Sequence, residues 1–336
     1  MNEAPRPTGT SADRPGGCEP AWGGPALGRL VLSVKGDHSS AALLAACGAG
    51  ALWGTGALVV NLLISRHGFT PETISFWRFV VGAVVLLAVF GRPALWRAVR
   101  PQLALVLASG ICMALYVLCW FLGIERIGAS IPTLIALCLP PVLVTVVAIA
   151  RGQERADAAL LILLTAALAG TALIVGLHGG STAELPTATM LAGVGFSVAS
   201  AMLYAAFTLV SGRLSQRLGA GPMTTCLTVV AAAVMGLSAF YRPIAWPAGV
   251  PPEAWFLYLG VVTAALALLA FSWGAARLTP TALTVATLVE PLTAVALSAL
   301  LLGEQLSAWQ WLGGALLMGS IAGLSQRQSP PEMRSS

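Results

Sequence analysis

The sequence predicts an all-α integral membrane protein whose ten transmembrane helices form two inverted five-helix repeats. Three observations carry that expectation. Of the 336 residues, 57% are hydrophobic and only 9% charged, against roughly 25% charged in soluble domains. The apolar residues gather into ten runs, each near the ~20 residues that a helix needs to cross a ~30 Å hydrocarbon core. The chain also repeats itself: Gly123, Arg126, Pro140 and Gly152 recur 151 residues later as Gly274, Arg277, Pro291 and Gly303.

Taken in order, residues 1–40 are rich in Pro, Gly and Ser with scattered charges, and read as a disordered cytoplasmic tail. The apolar piece near Leu30–Val34 is too short for a signal-peptide core. Five runs follow at 41–64, 73–90, 102–123, 128–150 and 157–177, which make up a first unit, 41–177. Five more, at 188–211, 222–240, 254–275, 280–302 and 308–324, make up a second, 188–324. A polar tail, 325–336, closes the chain. The connections are short and mostly contain Gly, Pro or Arg.

Charge sets the expected orientation. With the N-terminus inside, fourteen of the 18 Lys and Arg residues fall in cytoplasmic segments. Only Arg66, Arg126 and Arg242 fall in outer loops, and Arg78 lies within the second helix. This positive-inside bias places both termini in the cytoplasm and the protein, as a multi-pass chain, in the plasma membrane. The net charge of +5 is too small and scattered for a nucleic-acid footprint. The six cysteines show no CxxC spacing, and no histidine lies within an apolar run, so no metal or cofactor is expected.

The repeat also holds in the first helix of each unit. Leu52, Leu58, Val59, Leu63, Arg66, Gly68 and Pro71 return as Leu203, Leu209, Val210, Leu214, Arg217, Gly219 and Pro222. After a shorter loop the offset becomes 143, pairing Gly170 and Gly176 with Gly313 and Gly319. Matching Arg, Gly and Pro at one register is hard to obtain by chance. Five helices per unit is an odd number, so the second copy enters the membrane upside down. That architecture places a binding site near mid-membrane, between the repeats, where helices are broken. The expected breaks are Pro140 and Pro141 in the fourth helix and Pro291 in the ninth; the alternative is that these prolines merely bend their helices.

Within the ninth helix, Glu290 stands directly before Pro291. A charged carboxylate at that depth costs on the order of 3 kcal/mol to insert, and the proline withdraws a backbone donor where no water replaces it. Neither suits a lipid-facing helix. Glu290 is therefore the first candidate for binding a proton or a substrate ammonium, against the alternative of a glutamate that only ties helices together. Its first-copy counterpart is Leu139, so the site is asymmetric. Arg78 is a candidate to neutralise Glu290 or a substrate carboxylate, or else it extends to the interface.

The stretches "LWGTGALVVNLLI", Arg78-Phe79, "LCLPPVLVTVVAIARGQE" and "LVEPLTAVALSALLLGEQLSAWQWLGGALL" resemble the two EamA domains of the drug/metabolite transporter superfamily, over about residues 41–325. The first copy departs from the pattern at Gly152-Gln153-Glu154, where a glutamate is usual. The resemblance implies a ten-helix exporter or exchanger of small metabolites, with alternating access and a cavity lined by helices 1, 3, 4, 6, 8 and 9. On those helices stand Trp53, Tyr116, Trp120, Tyr204 and Trp273, with Asn61, Ser200, Thr208 and Thr287 as polar candidates. Such rings hold apolar solutes or stack on cations, though Trp120 and Trp273 also suit an interfacial belt. Single small polar residues equally serve as helix–helix glue. Glu125 and Arg126 read as interface residues with a gating role as the alternative.

The leading functional expectation is a secondary transporter of small amphipathic metabolites, amino acids or related compounds, with proton coupling as one option. The alternatives are a passive facilitator of the same solutes and, in a different class, an intramembrane lipid-modifying enzyme. Against the enzyme stands the lack of a nucleophile–base pair or clustered acids. No Lys-Ser/Thr follows the glycines of helix 1, so no phosphate loop is seen. The expected partners are a small-molecule substrate and the lipid bilayer, with a homodimer left open as an oligomeric state.

Overall fold

The computed structural model describes residues 38–127, 130–176, 186–249, 252–302 and 307–328, and among them every regular element is helical. Helix α1 (His38–His67) ends at Gly68, whose φ of 67° lies in the left-handed region that a side chain disfavours. Its repeat partner Gly219, with φ 82°, ends the corresponding helix of the second copy. Helix α2 (Pro71–Phe90) starts on a Thr-Pro signal: the Thr70 hydroxyl accepts from the Thr73 N–H, and Pro71 stands where its missing donor is not needed.

A short α3 (Pro93–Val99), not expected from the hydropathy pattern, leads through a 3₁₀ turn (Arg100–Gln102) into α4 (Leu103–Ile127). Buried Leu95 and Val99 anchor it. The first copy closes with α5 (Ser130–Ala150) and α6 (Ala158–Gly176). The second comprises α7 (Thr187–Leu218), α8 (Ala220–Gly236) with a 3₁₀ end (Leu237–Phe240), then α9 (Pro252–Tyr258). A π-helical stretch (Leu259–Leu266) and α10 (Ala267–Ala275) continue it. It ends with α11 (Pro280–Thr287), α12 (Val289–Leu302) and α13 (Ala308–Gln328).

Nine helical stretches among the described residues are long and apolar enough to cross a membrane. Of the ten expected, α13 is the one outside that set, because Gln310 and four glycines dilute its hydropathy. Helices also outrun the apolar runs: α7 continues from the expected end at residue 211 through the polar Ser211–Leu218, since a helix needs no hydrocarbon around its last turns. The expected tails lie mostly outside the described residues. His38–Ser40 and residues 325–328 are helical rather than tail.

The expected break at Pro140 and Pro141 is not found; α5 is helical throughout. A proline removes one donor from the ladder but holds a helical φ, so a helix flanked by neighbours can run on through it. The break in the second copy falls at Leu288, between α11 and α12 and three residues ahead of Pro291. The missing Pro291 N–H would have served the Thr287 carbonyl four residues back, and the ladder parts there.

Packing crosses between the copies. α1 lies against the π stretch, α10, α11 and α12, while α7 lies against α4 and α5. α2 packs on α8, and α6 on α13. At the α6–α13 crossing, Gly170 and Gly313 face each other so closely that a Cβ on either would sit 2.6 Å from the other's carbonyl oxygen. α1 meets the α11–α12 break in the same way. A Cβ at Gly50 would sit 2.6 Å from the Thr287 carbonyl oxygen, and one at Gly54 would strike the Glu290 carbonyl.

Candidate functional site

The break, the π stretch and the centre of the bundle enclose a cavity of about 240 Å³. Trp53, Arg78, Tyr116, Tyr204, Thr287 and Glu290 all line it, as does Pro291. The lining is drawn from α1, α4, α5, α7, the π stretch and the α11–α12 pair, with α2 contributing Arg78. From Glu290 the walls run to Ile64, Ile124 and Thr133, toward one end of the bundle. Toward the opposite end α5 is tied to α11: the Thr281 hydroxyl donates to Thr145 at 2.9 Å, and the Thr281 N–H donates to Glu154 at 3.4 Å.

The polar groups are held from different helices. The Trp53 indole N–H donates to the Thr263 carbonyl at 3.0 Å, and an Arg78 N–H reaches the same oxygen at 3.5 Å. That carbonyl belongs to the π stretch, where the wider turn is a usual mark of functional sites. The Thr287 hydroxyl donates to Thr284, so at 3.3 Å it accepts from the Tyr204 hydroxyl. The Tyr116 and Tyr204 rings meet edge to face with centroids 5.1 Å apart, and Phe207 and Phe271 stack behind them. Ser200 donates to the Tyr116 carbonyl at 2.7 Å, which leaves its hydroxyl occupied.

The Glu290 carboxylate makes no hydrogen bond and no ion pair among the described residues. The charged side chain acting on it is that of Arg78, yet the two are too far apart for an ion pair. The Arg78 Nε is buried with no partner. The prolines of α5 matter differently from expectation: Pro140 and Pro141 do not line the cavity. Ala136 and Leu137, whose carbonyls lose their donors to those prolines, do line it.

Among the other candidates, Trp120 lines the cavity and donates to Thr133 at 3.3 Å. Trp273 lies outside it and stacks under Arg277, 4.0 Å from the ring centre. Thr208 bonds back to the Tyr204 carbonyl and serves its own helix. The Asn61 side chain lies outside the described residues. Glu125 and Arg126 stand at the cavity's end of the bundle, where Arg242 bonds Glu125 at 2.8 Å and approaches Glu72 at 3.5 Å. The hydrogen bond to Glu125, with the charges of Glu72 and Glu125, holds the Arg242 guanidinium above its ordinary range.

Sequence reasoning missed Thr263. Its contribution is a backbone carbonyl presented by a π turn, and nothing in "LYLGVVTAALALLAF" marks that turn. The apolar wall of Val60, Ile64, Phe121 and Ile124 was equally hidden, since such residues are uniform along every helix.

Comparison with known proteins adds the following. The EamA-like transporter family matches twice, over residues 40–176 and 191–326. The chain is 26% identical over 270 residues to a protein described as the uncharacterized transporter YwfM of Bacillus subtilis (strain 168), covering 79% of this chain and 87% of that one. A protein solved by crystallography, with no function in its description, aligns with a TM-score of 0.72 at 20% identity. That alignment covers 85% of this chain and 98% of the other, and shows the shared fold alone.

Proposed function

Since this chain belongs to the EamA-like transporter family and is a multi-pass membrane transporter, we propose that it exports or exchanges small amphipathic metabolites, amino acids or related compounds, by proton-coupled alternating access. The observation that carries this reading is Glu290. It is an unpaired carboxylate beside a helix break, on the wall of an otherwise largely apolar cavity between the two copies. An intramembrane acid that ties nothing together is free to exchange a proton or hold a cation. A volume of about 240 Å³ is below the ~300–1,000 Å³ of pockets for drug-sized ligands, which favours metabolites of amino-acid size.

The layout supports the alternating-access part of this reading. The cavity reaches toward the end bearing Ile64 and Ile124, while the Thr145–Thr281 and Glu154–Thr281 bonds draw α5 and α11 together toward the other. Opening the second route requires those contacts to part as the first closes. The arginine-rich end, with Arg217 bonded to Gln102 and Arg327 to Asp157, is the cytoplasmic one. The reading includes ten membrane helices in two inverted copies in the plasma membrane, with both termini inside. The reciprocal Gly170–Gly313 contact supports it, because residues paired by a repeat meet where its twofold axis passes.

The test is flux in proteoliposomes with and without a pH gradient. Wild-type protein should show gradient-stimulated solute movement, and Glu290→Gln should lose that stimulation while still folding. Wild-type flux that ignores the gradient would overturn the coupling and leave a passive facilitator.

A further inference from the structure

We infer that the cavity reads both charges of a zwitterion: Arg78 receives the substrate's carboxylate and Glu290 its ammonium group, so that the solute is a neutral amino acid with an apolar side chain. This rests on the reading of the cavity as the transport site and specifies what enters it.

The argument begins with two opposite charges that do not satisfy each other. Both line one cavity, one from the first copy and one from the second, and no ion pair joins them. A pair placed only for structural balance would close to hydrogen-bond distance, because an isolated charge in a low-dielectric interior is costly. Arg78 is held instead by one long bond of 3.5 Å to the Thr263 carbonyl, an oxygen already accepting from Trp53. Its buried Nε has no partner. A guanidinium has five N–H donors in a planar fork that suits a carboxylate, so most of this fork's capacity is unspent.

Glu290 is in the complementary position, an acceptor with no donor. Among the described residues that line the cavity, no acidic side chain other than Glu290 is present to compete for the guanidinium. A ligand carrying one positive and one negative group completes both residues at once and leaves no net charge in the cavity. A simple cation would leave Arg78 unpaired, and a simple anion would leave Glu290 unpaired. Phe121, Ile124 and Val60 continue the wall with apolar surface for the side chain.

The experiment uses full-length protein purified in detergent and measures thermal stabilisation by three probes: L-leucine, L-leucinamide, which lacks the carboxylate, and N-acetyl-L-leucine, which lacks the ammonium. Wild type should bind leucine at least about tenfold more tightly than either analogue, as expected when a buried charged group loses its hydrogen-bonded partner. Arg78→Gln should lose the preference over leucinamide and keep that over N-acetyl-leucine; Glu290→Gln should do the reverse. Wild type that binds either analogue as tightly as leucine overturns the inference, a result that needs no variant to fold. Variants that retain both preferences overturn it as well. Gradient-driven, Glu290-dependent flux of leucinamide alone would sink this inference and leave the transport reading standing. Intact charge discrimination with gradient-independent flux would do the opposite.

Discussion

Glu290 and Arg78 illustrate how much residue order says about a single intramembrane charge, and how little it says about that charge's partner. Each is costly enough in a bilayer to demand a reason. Both line one cavity with no ion pair between them, and the proposed reading connects that arrangement with a ligand. At the surface, the opposite arrangement holds. Asp157 caps α6 through the Leu160 N–H and bonds Arg327 at 2.9 Å. First that Arg327 bond and then the Leu160 bond hold its carboxyl below the ordinary carboxylate range. A folded-state value below the unfolded one means that the contribution is complete above about pH 4 and fades as pH falls through the depressed value. The cap and the α6–α13 tie should therefore loosen only in acid. Protection factors at the first turn of α6, with the intrinsic pH dependence of amide exchange divided out, should be high at neutral pH in wild type, lower below about pH 4, and already lower at neutral pH in Asp157→Ala.

Elements show where a helix needs the absence of a side chain. α1 reaches the α11–α12 break because Gly50 and Gly54 bring backbone against backbone. Backbone cannot swing aside as a long side chain can, so Gly50→Ala should destabilise the protein by about 1–3 kcal/mol, the usual cost of overpacking. Gly48 belongs to the same helix but not to the seam: a Cβ there meets nothing within 4 Å. Gly48→Ala should be neutral or stabilising by up to ~1 kcal/mol through helix propensity. Unfolding midpoints of the two variants in detergent check the contrast, and equal midpoints would contradict the seam. The two proline sites teach a related lesson. Pro140 and Pro141 leave α5 whole, whereas α11 and α12 part at Leu288. The same loss of a donor therefore leaves one helix whole and accompanies a break in the other.

At the scale of the molecule, the two copies interleave, each packing its first helix against helices of the other. The proposed five crossings per copy would put Arg66 and Arg217, which are repeat partners, on opposite sides of the membrane. In a variant whose six native cysteines are replaced by serine, a single cysteine at either position should react with a membrane-impermeant reagent, the two from opposite sides of intact cells. Arg66→Cys should react from outside, and Arg217→Cys only after permeabilisation. Labelling of both from one side would remove the inverted arrangement.

The all-helical membrane character, most of the spanning helices, the internal duplication and the presence of an acidic residue within an apolar run were legible from residue order. The reason is that a bilayer leaves few options: every backbone donor must be satisfied within a helix, and every buried charge stands out against an apolar background. Arg78's lack of a close partner, the Thr263 carbonyl, the π stretch and the position of the break were not legible. Each is settled by which surface of the other copy lies opposite, a contact between residues up to 210 apart in the chain that no local pattern records.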